Sequence, residues 1–439
     1  FGNSPLPHFS FFFRSFGYIG TMNEAEYTWI SDDKVLVDLT DETSVGSLNF
    51  FDVSFTDSNI QRMELALKGR KVGRIGITSC RGKLDEALSL IFRCVQVEYL
   101  KLDCLHMKPS TAKIIGEGVA SSSSLKCLSL QAIHMTEPFA FALYDALCRT
   151  ESLQYLYLSV IATRHSDETS VDTLLRGFQN NRSLKHLGIA RVRGMDPTRV
   201  FLSIKDHVSL QSISFACLDG ISSSTLAAIN AVAKSPHSRV NTIKLSIRGD
   251  WTPIRHLSKS SSSSSVGARR IQYKLTISTS SEFCDMQLLG EILERNDNIV
   301  ALSLAHCGLD EDSVAQLAVH LAKVKGLREL NLQGNSLQSG RGCEALLAAL
   351  EFNRGLERID LPTLVDQKAS LDHLLDCNRA GRRLYTHTNV PRALWPLVLH
   401  RASTIDYTRS YPLFKRQEEV AARRANAIFH LLQGQAICH

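Results

Sequence analysis

The chain has 439 residues, of which 44% are hydrophobic and 21% charged, with a formal net charge of +6. That is enough apolar material for a sizeable core, which excludes a wholly disordered chain, and no apolar run reaches the roughly 18 residues needed to cross a bilayer. The charge is uneven: residues 378–439 hold ten Arg/Lys against three Asp/Glu, a surplus of seven, so the chain before them sums to −1.

Residues 1–21 carry five Phe between Phe9 and Phe16, broken by Arg14 and with no convincing cleavage site after them, and are left as an unassigned N-terminal segment. Beyond Met22 an apolar-x-x-apolar-x-apolar pattern recurs twelve times. Its last two positions are Phe51/Val53, Ile75/Ile77, Leu100/Leu102, Leu128/Leu130, Leu156/Leu158, Leu187/Ile189, Ile213/Phe215, Ile243/Leu245, Tyr273/Leu275, Leu302/Leu304, Leu330/Leu332 and Ile359/Leu361. Successive spacings run from 24 to 31 residues, and the leading apolar position, from Leu48 to Leu356, is filled in eleven of the twelve units. Alternation at the end of the pattern predicts a short strand with one buried face.

Between strands lie helical stripes such as Val314, Leu317, Ala318, Leu321 and Ala322, or Cys343, Leu346, Leu347 and Leu350. Pro109-Ser110, Glu137-Pro138 and Asp196-Pro197 mark helix starts, where proline loses no needed donor. Each unit therefore reads as strand, turn, helix and return, and stacking of units supplies the core. Neighbouring helices pack about 8–10 Å apart and strands about 4.8 Å apart, so the stack is expected to curve with strands inside and helices outside. The fold expected is an α/β curved solenoid over residues 22–365, a horseshoe with parallel strands on its concave face and helices on its convex face. One unit is poor: Ser258 and Ser260–Ser265 fall where a helix belongs, and serine hydroxyls compete for backbone bonds, so residues 249–268 read as a flexible convex-side loop.

After Leu361 the pattern changes. Leu371, Leu374 and Leu375 form a last stripe before Gly381, and residues 366–439 read as a helical C-terminal cap in which Trp395 covers the final unit. Glu418 and Glu419 interrupt the basic run, which favours a solvated helix face over a nucleic-acid footprint, and Arg379, Arg382 and Arg383 read the same way. Eleven cysteines make an odd number with no Cys-x-x-Cys, and Cys94, Cys148 and Cys343 fall on apolar positions. They read as small hydrophobes in a reducing compartment, cytosol or nucleus. Asn181-Arg182-Ser183 reads as a chance glycosylation sequon.

Two units, Leu327-Arg-Glu-Leu-Asn-Leu-Gln-Gly-Asn335 and Ile299-Val-Ala-Leu-Ser-Leu-Ala-His-Cys307, resemble the leucine-rich-repeat consensus of the ribonuclease-inhibitor-like subfamily. That resemblance implies that the Asn or Cys side chain bonds backbone groups of the turn leaving the strand. Other units carry Ile133, Ile161, Val192 or Leu218 there, so the ladder is expected to be patchy. The tail, with Asn378-Arg-Ala-Gly-Arg-Arg383, Leu394-Trp-Pro-Leu-Val-Leu399 and a closing Ile-Phe-His-Leu-Leu432, resembles that of a group of diatom leucine-rich-repeat proteins with no assigned activity.

The sequence contains no phosphate-binding Gly-x4-Gly-Lys-Ser/Thr loop, no Gly-x-Gly-x-x-Gly, no Gly-x-Ser-x-Gly and no His-Glu-x-x-His. His106, His134 and His306 read as turn histidines, so the expectation is a non-enzyme with no cofactor and no metal. The concave strand positions read as mostly small and polar, among them Ser129 and Gln131, with charges of both signs, which argues against a nucleic-acid track. Within them Tyr99, Lys101, Tyr155, Tyr157, Lys244, Lys274, Glu329 and Asn331 are the candidate partner-binding residues, tyrosine giving large contact area at low entropic cost. The partner expected is another protein, with no membrane involved. The alternative is regulation of an enzyme, by inhibition as in ribonuclease inhibitor or by stimulation as in Ran GTPase-activating protein, although that second family carries an acidic segment where this tail is basic.

Overall fold

A computed structural model describes residues 28–30, 44–69, 71–105, 107–161, 168–190, 195–257, 271–278, 285–337, 340–362 and 368–379. The N-terminal segment 1–21, the serine run, Trp395 and nearly all of the expected cap lie outside the described residues. The chain divides into two compact units, one of residues 1–217 with 227–241, the other of residues 218–226 with 242–439.

In the first unit the chain alternates strand and helix: β1 (Thr28–Ile30), β2 (Ser44–Phe51), β3 (Ser54–Phe55), α1 (Asp57–Leu67), β4 (Lys71–Thr78), β5 (Arg81–Gly82), α2 (Leu84–Cys94) and β6 (Gln96–Asp103). It continues with α3 (Pro109–Ser121), β7 (Cys127–His134), α4 (Glu137–Arg149), β8 (Tyr155–Ile161), α5 (Glu168–Asn180), β9 (His186–Ala190), α6 (Pro197–Ser203), β10 (Ser212–Gly220) and α7 (Ser223–Lys234), the last two lying in this unit except for residues 218–226. The sheet order is β1-β2-β4-β6-β7-β8-β9-β10, all pairings parallel, with β3 and β5 forming a small separate ladder. The second unit holds β11 (Thr242–Asp250), a 3-10 turn (Thr252–His256), β12 (Gln272–Ser278), α8 (Met286–Arg295), β13 (Ile299–Ser303), α9 (Glu311–Leu321), β14 (Glu329–Asn331), α10 (Arg341–Phe352), β15 (Arg358–Asp360) and α11 (Lys368–Arg379). Its strands pair in chain order, again parallel. This is an α/β solenoid of leucine-rich-repeat type.

The repeat builds its core as the pattern requires. Leu100, Leu102, Leu128, Leu130, Leu156 and Leu158 are buried, together with Ile115, Val119, Phe139, Leu143, Leu147, Leu174 and Phe178 of the helices that follow. The three proline-marked helices begin where expected, and Thr136 and Asp196 cap α4 and α6 by accepting the N–H of Phe139 and Thr198.

Three expectations are corrected. The first repeat is registered on Leu48 and Phe50, opposite Ile75 and Ile77, and not on Phe51/Val53; Phe51 is 49% exposed and the next residue, Asp52, turns into the left-handed region. One further strand, β1, precedes it, pairing Thr28 with Leu48 and Ile30 with Phe50. In the second unit Leu302 lies opposite Leu275, not Tyr273, because the register shifts between Tyr273 and Lys274 and buried Ile299 takes the place beside Tyr273.

The flexible loop expected from residue 249 is also corrected in its first part. β11 runs on to Asp250, whose Oδ1 accepts the Thr252 N–H at 2.9 Å and hydroxyl at 2.7 Å. That turn delivers Trp251, Ile254 and Leu257 into the core. Cys148 is exposed and not part of the core, whereas Cys80, Cys307, Cys343 and Cys377 are buried free thiols.

Two structural ladders recur at the strand ends. Just past strand ends, Asp52, Ser79, Cys104, His306 and Gly334 take a positive φ, as does Ala132 at the register shift within β7, all between 49° and 71°. At Gly334 a side chain would also strike the His306 ring. The buried residue after each turn then reaches back: Asn335 Nδ2 donates to Leu304 O and Leu332 O, Cys307 Sγ to Ile277 O, and Cys80 Sγ to Phe50 O. This is the patchy ladder the resemblance implied, and Cys307 reaching Ile277 agrees with the corrected register.

At helix exit a second acceptor caps the entry to the next strand. Asn181 Oδ1 accepts the N–H groups of Ser183 and Leu184, Asn353 Oδ1 those of Gly355 and Leu356, and His207 Nδ1 those of Ser209 and Leu210. Asn181 is thus buried and committed to the backbone, in keeping with a chance sequon. His207 can accept at Nδ1 only as the neutral ring, and burial, reinforced by the Arg182 charge, holds its pKa down to about 4 against an ordinary 6.5. The unfolded chain then binds the extra proton between those values, so stability present above pH 6.5 is lost as pH falls towards 4, by on the order of 2–3 kcal/mol. Asn already fills this place in two other repeats, so His207→Asn is expected to flatten the pH 4–6.5 slope of the denaturant midpoint; an unchanged slope refutes the assignment.

Candidate functional site

The face of the sheet turned away from the helices is set by the period of two along each strand. In the first unit its register columns can be read across neighbouring strands. One runs Arg74, Tyr99, Cys127, Tyr155, His186, Ser212. The next runs Gly76, Lys101, Ser129, Tyr157, Gly188, Ser214, and a third includes Asp103, Gln131 and Ser159.

The tyrosines lean in different directions. Tyr155 stacks on His186, ring centroids 4.4 Å apart and planes within 8°. The ring of Tyr157 leans over Gly188, where an added Cβ would come within 2.6 Å of it. Tyr99 faces the other way and carries the Arg74 guanidinium 5.8 Å from its ring centroid, a cation–π arrangement. Between them lies the strand carrying Cys127, Ser129 and Gln131. Lys101 bends along its own strand to Asp103, at 3.1 Å.

Ser129 and Gln131, expected to line an open surface, are buried, and Gln131 Nε2 donates to Ser129 Oγ at 2.9 Å. Buried and bonded to each other, they make the centre of this face a packed floor. Of the tyrosines, Tyr155 stands furthest out, 38% exposed, while Tyr99 and Tyr157 are half-buried.

The remaining candidates belong to the second unit. Lys244, Lys274, Ala301, Glu329 and Arg358 share a register column, beside a row of Ser246, Thr276, Ser303, Asn331 and Asp360. Lys274 Nζ meets Glu329 Oε1 at 3.1 Å across the single methyl of Ala301. Asn331 Oδ1 accepts the Gln333 N–H at 2.9 Å, and Arg358 pairs with Asp360 at 2.8 Å. Burial, then the neighbouring Lys274 charge, holds Lys244 down to about 8, with Glu329 opposing. The eight candidates therefore form two groups, one in each unit. The Lys244–Lys274 adjacency was not foreseen as a pair, although identical strand positions 30 residues apart were the signal for it.

The thiols on and beside this face are not poised for nucleophilic chemistry. Burial pushes Cys127 up to about 12, and burial with Asp103 raises Cys104 to about 11. A thiol that high is almost wholly protonated at neutral pH. His320, buried between α8 and α9, has its ring nitrogens 2.8 Å from Glu294 Oε1 and 3.0 Å from Gln287 Oε1, as a helix-packing residue would. Among the described residues no group of three or more His, Cys, Asp or Glu is placed to hold a metal ion, and no helix is long and apolar enough to cross a membrane.

No protein-family model matches the chain, and no curated protein matches it. Among solved structures, a chain from the crystal structure of the Rad7 and Elc1 complex in yeast is similar at 14% identity and a TM-score of 0.41, over 73% of this chain and 81% of that one.

Proposed function

We propose that this chain is a protein-interaction scaffold of the cytosol or nucleus, without catalytic activity of its own, which receives its partner on the open face of the first unit's sheet around Tyr155. The observation that carries the proposal is the outward Tyr155 ring held flat on His186 above a packed floor. An aromatic side chain already fixed in one orientation loses little entropy on binding, and such anchors dominate interface energetics. The sheet face around it mixes tyrosines with an ion pair, Lys101 with Asp103, and a cation–π contact, Arg74 over Tyr99, which suits a polar-rimmed protein contact better than a phosphate backbone. Asn335 and Cys307, in the ladder positions named above, support placing the repeat near the ribonuclease-inhibitor-like branch.

Tyr155 is the cleaner residue to change. Tyr157 also packs on Gly188, so its removal disturbs the fold as well as the surface. Proximity labelling in cells with the wild-type chain defines its neighbours, and Tyr155→Ala is expected to lose at least one of them by about tenfold, the 1.4 kcal/mol expected of a modest hot spot. The circular-dichroism melting curve should stay unchanged. Identical neighbours at identical yield would sink the assignment of this face.

A further inference from the structure

We propose that Asn378 and Arg379 act as a side-chain plug: they imitate the entry of a further repeat, end the ladder of the second unit, and so keep β15 from pairing with a strand of a second copy of this chain.

In successive repeats, the acceptors that one leaves are filled by the next. The carbonyl just before a strand takes two backbone N–H groups of the following repeat: Lys126 O those of Gln154 and Tyr155, Gln154 O those of Lys185 and His186, and Arg328 O those of Glu357 and Arg358, at 2.7–3.0 Å. Carbonyls slightly earlier in the same turn take a serine hydroxyl. Ser122 O and Thr150 O, five residues before their strand-opening partners Cys127 and Tyr155, accept from Ser152 and Ser183. Val97 O and Leu184 O, two residues before Tyr99 and His186, accept from Ser124 and Ser209.

At β15 side chains of α11 meet all three kinds of acceptor. Arg379 Nε donates to Glu357 O at 2.7 Å, the carbonyl that register sets beside Arg328. Asn378 Nδ2 donates to Asn353 O at 3.0 Å and Leu356 O at 2.8 Å, five and two residues before Arg358. The helix is placed for this because it packs as a repeat helix does: Leu371 and Leu375 are buried seven and three residues before Asn378, the spacing of Leu346 and Leu350 before Asn353. Arg379, expected on a solvated helix face, is instead buried, and its pair with buried Asp376 fixes the guanidinium beside the carbonyl.

The edge so guarded is a vulnerable one. Among the described residues β15 ends the sheet order. Arg358 N–H and Asp360 O bond β14, so the alternation of a parallel ladder turns the Ile359 N–H and C=O outwards. Ile359 and Leu361 are half-buried, where Leu330 and Leu332 one repeat earlier are fully buried. An apolar edge with main-chain groups to offer pairs with other chains unless something blunts it. Two things blunt this one: β15 is three residues long, and Arg379 holds the carbonyl from which an added strand would start. The inference goes beyond the partner face around Tyr155 and does not depend on it.

The test replaces the buried pair by apolar residues, because removing Arg379 alone would leave the Asp376 charge without this partner in the interior. Full-length Asp376→Leu/Arg379→Met and wild type are compared by light scattering over a concentration series, with amide exchange at Ile359 read by electron-transfer mass spectrometry. The variant's weight-average mass is expected to climb with concentration towards roughly twice that of one chain, while wild type's stays constant. The Ile359 amide, fast in wild type, should slow as the mass rises. Arg379→Lys, with one nitrogen in place of a two-point fork, should lie between the two, and decides by the same readout if the double variant does not fold. A mass as constant as that of wild type overturns the proposal. So does an Ile359 amide already slow in wild type, since the edge would then be covered by something other than the plug. Association that leaves Ile359 fast overturns it as well, because the contact would lie elsewhere.

Discussion

Trp251→Ala is expected to destabilise the second unit by about 3–5 kcal/mol, the cost of emptying a large aromatic site in a packed core. Trp251 is 1% exposed, at the head of a turn that also buries Ile254 and Leu257. The indole therefore fills a core position directly after β11. Loss of the ring leaves β11 without its backing, and amide exchange should quicken first in Ile243, Leu245 and Ile247. Trp251→Phe, which keeps most of the volume, should recover more than half of the loss. A denaturant midpoint for Trp251→Ala within 1 kcal/mol of wild type would mean that the turn is not part of the core.

Asn335→Ala is the second large effect, expected at about 2–4 kcal/mol. One buried amide satisfies four backbone groups: it donates to Leu304 O and Leu332 O and accepts from the N–H of Cys307 and Leu309. Alanine leaves these groups without their partner in a place water reaches poorly, and each orphaned group costs on the order of 1–3 kcal/mol before relaxation. Asn335→Cys should restore part of the loss, because Cys307 and Cys80 already reach the preceding repeat from this position with a thiol. If alanine and cysteine give the same equilibrium unfolding curve, the thiol contacts contribute nothing and the ladder argument fails at those repeats.

The periodic leucines made the parallel α/β repeat readable because buried strand positions admit little else. Register was less readable where two frames fit equally well. Val45-x-x-Leu48-x-Phe50 and Leu48-x-x-Phe51-x-Val53 both satisfy the apolar pattern, and only the left-handed turn at Asp52 distinguishes them. The shift at Tyr273 escapes the pattern for the same reason, since Ile299 and Leu302 are both apolar enough to face a buried neighbour. Serines at 258 and 260–265 resist helix formation, yet Trp251 ahead of them has the size of a core residue.

The candidate surface was legible as a set of positions but not as an arrangement. Alternation located Tyr99, Tyr155 and Tyr157, yet which way each ring leans depends on what stands across the ladder: His186 invites stacking, and Gly188 makes room. Burial of Ser129 and Gln131 likewise depends on neighbours across the ladder that alternation along one strand does not specify. The helix-exit ladder did have a signal, the recurring Asn-Arg-x-Leu at 181–184 and 353–356, but His207 in the same role shares only its capacity to accept.

A left-handed residue at or near strand exit is occupied by Asp, Ser, Cys, Ala, His and Gly in six repeats. Five of the six are not glycine, so the turn accepts varied side chains, although at Gly334 one would strike the His306 ring. That makes the position a natural splice point: segments cut from one such residue to the next carry a complete return path and re-enter the following strand in phase. Repeats exchanged at these joints can alter what the sheet presents while leaving its hydrogen-bond ladder intact, a route by which a chain of this kind changes partners without having to refold its scaffold.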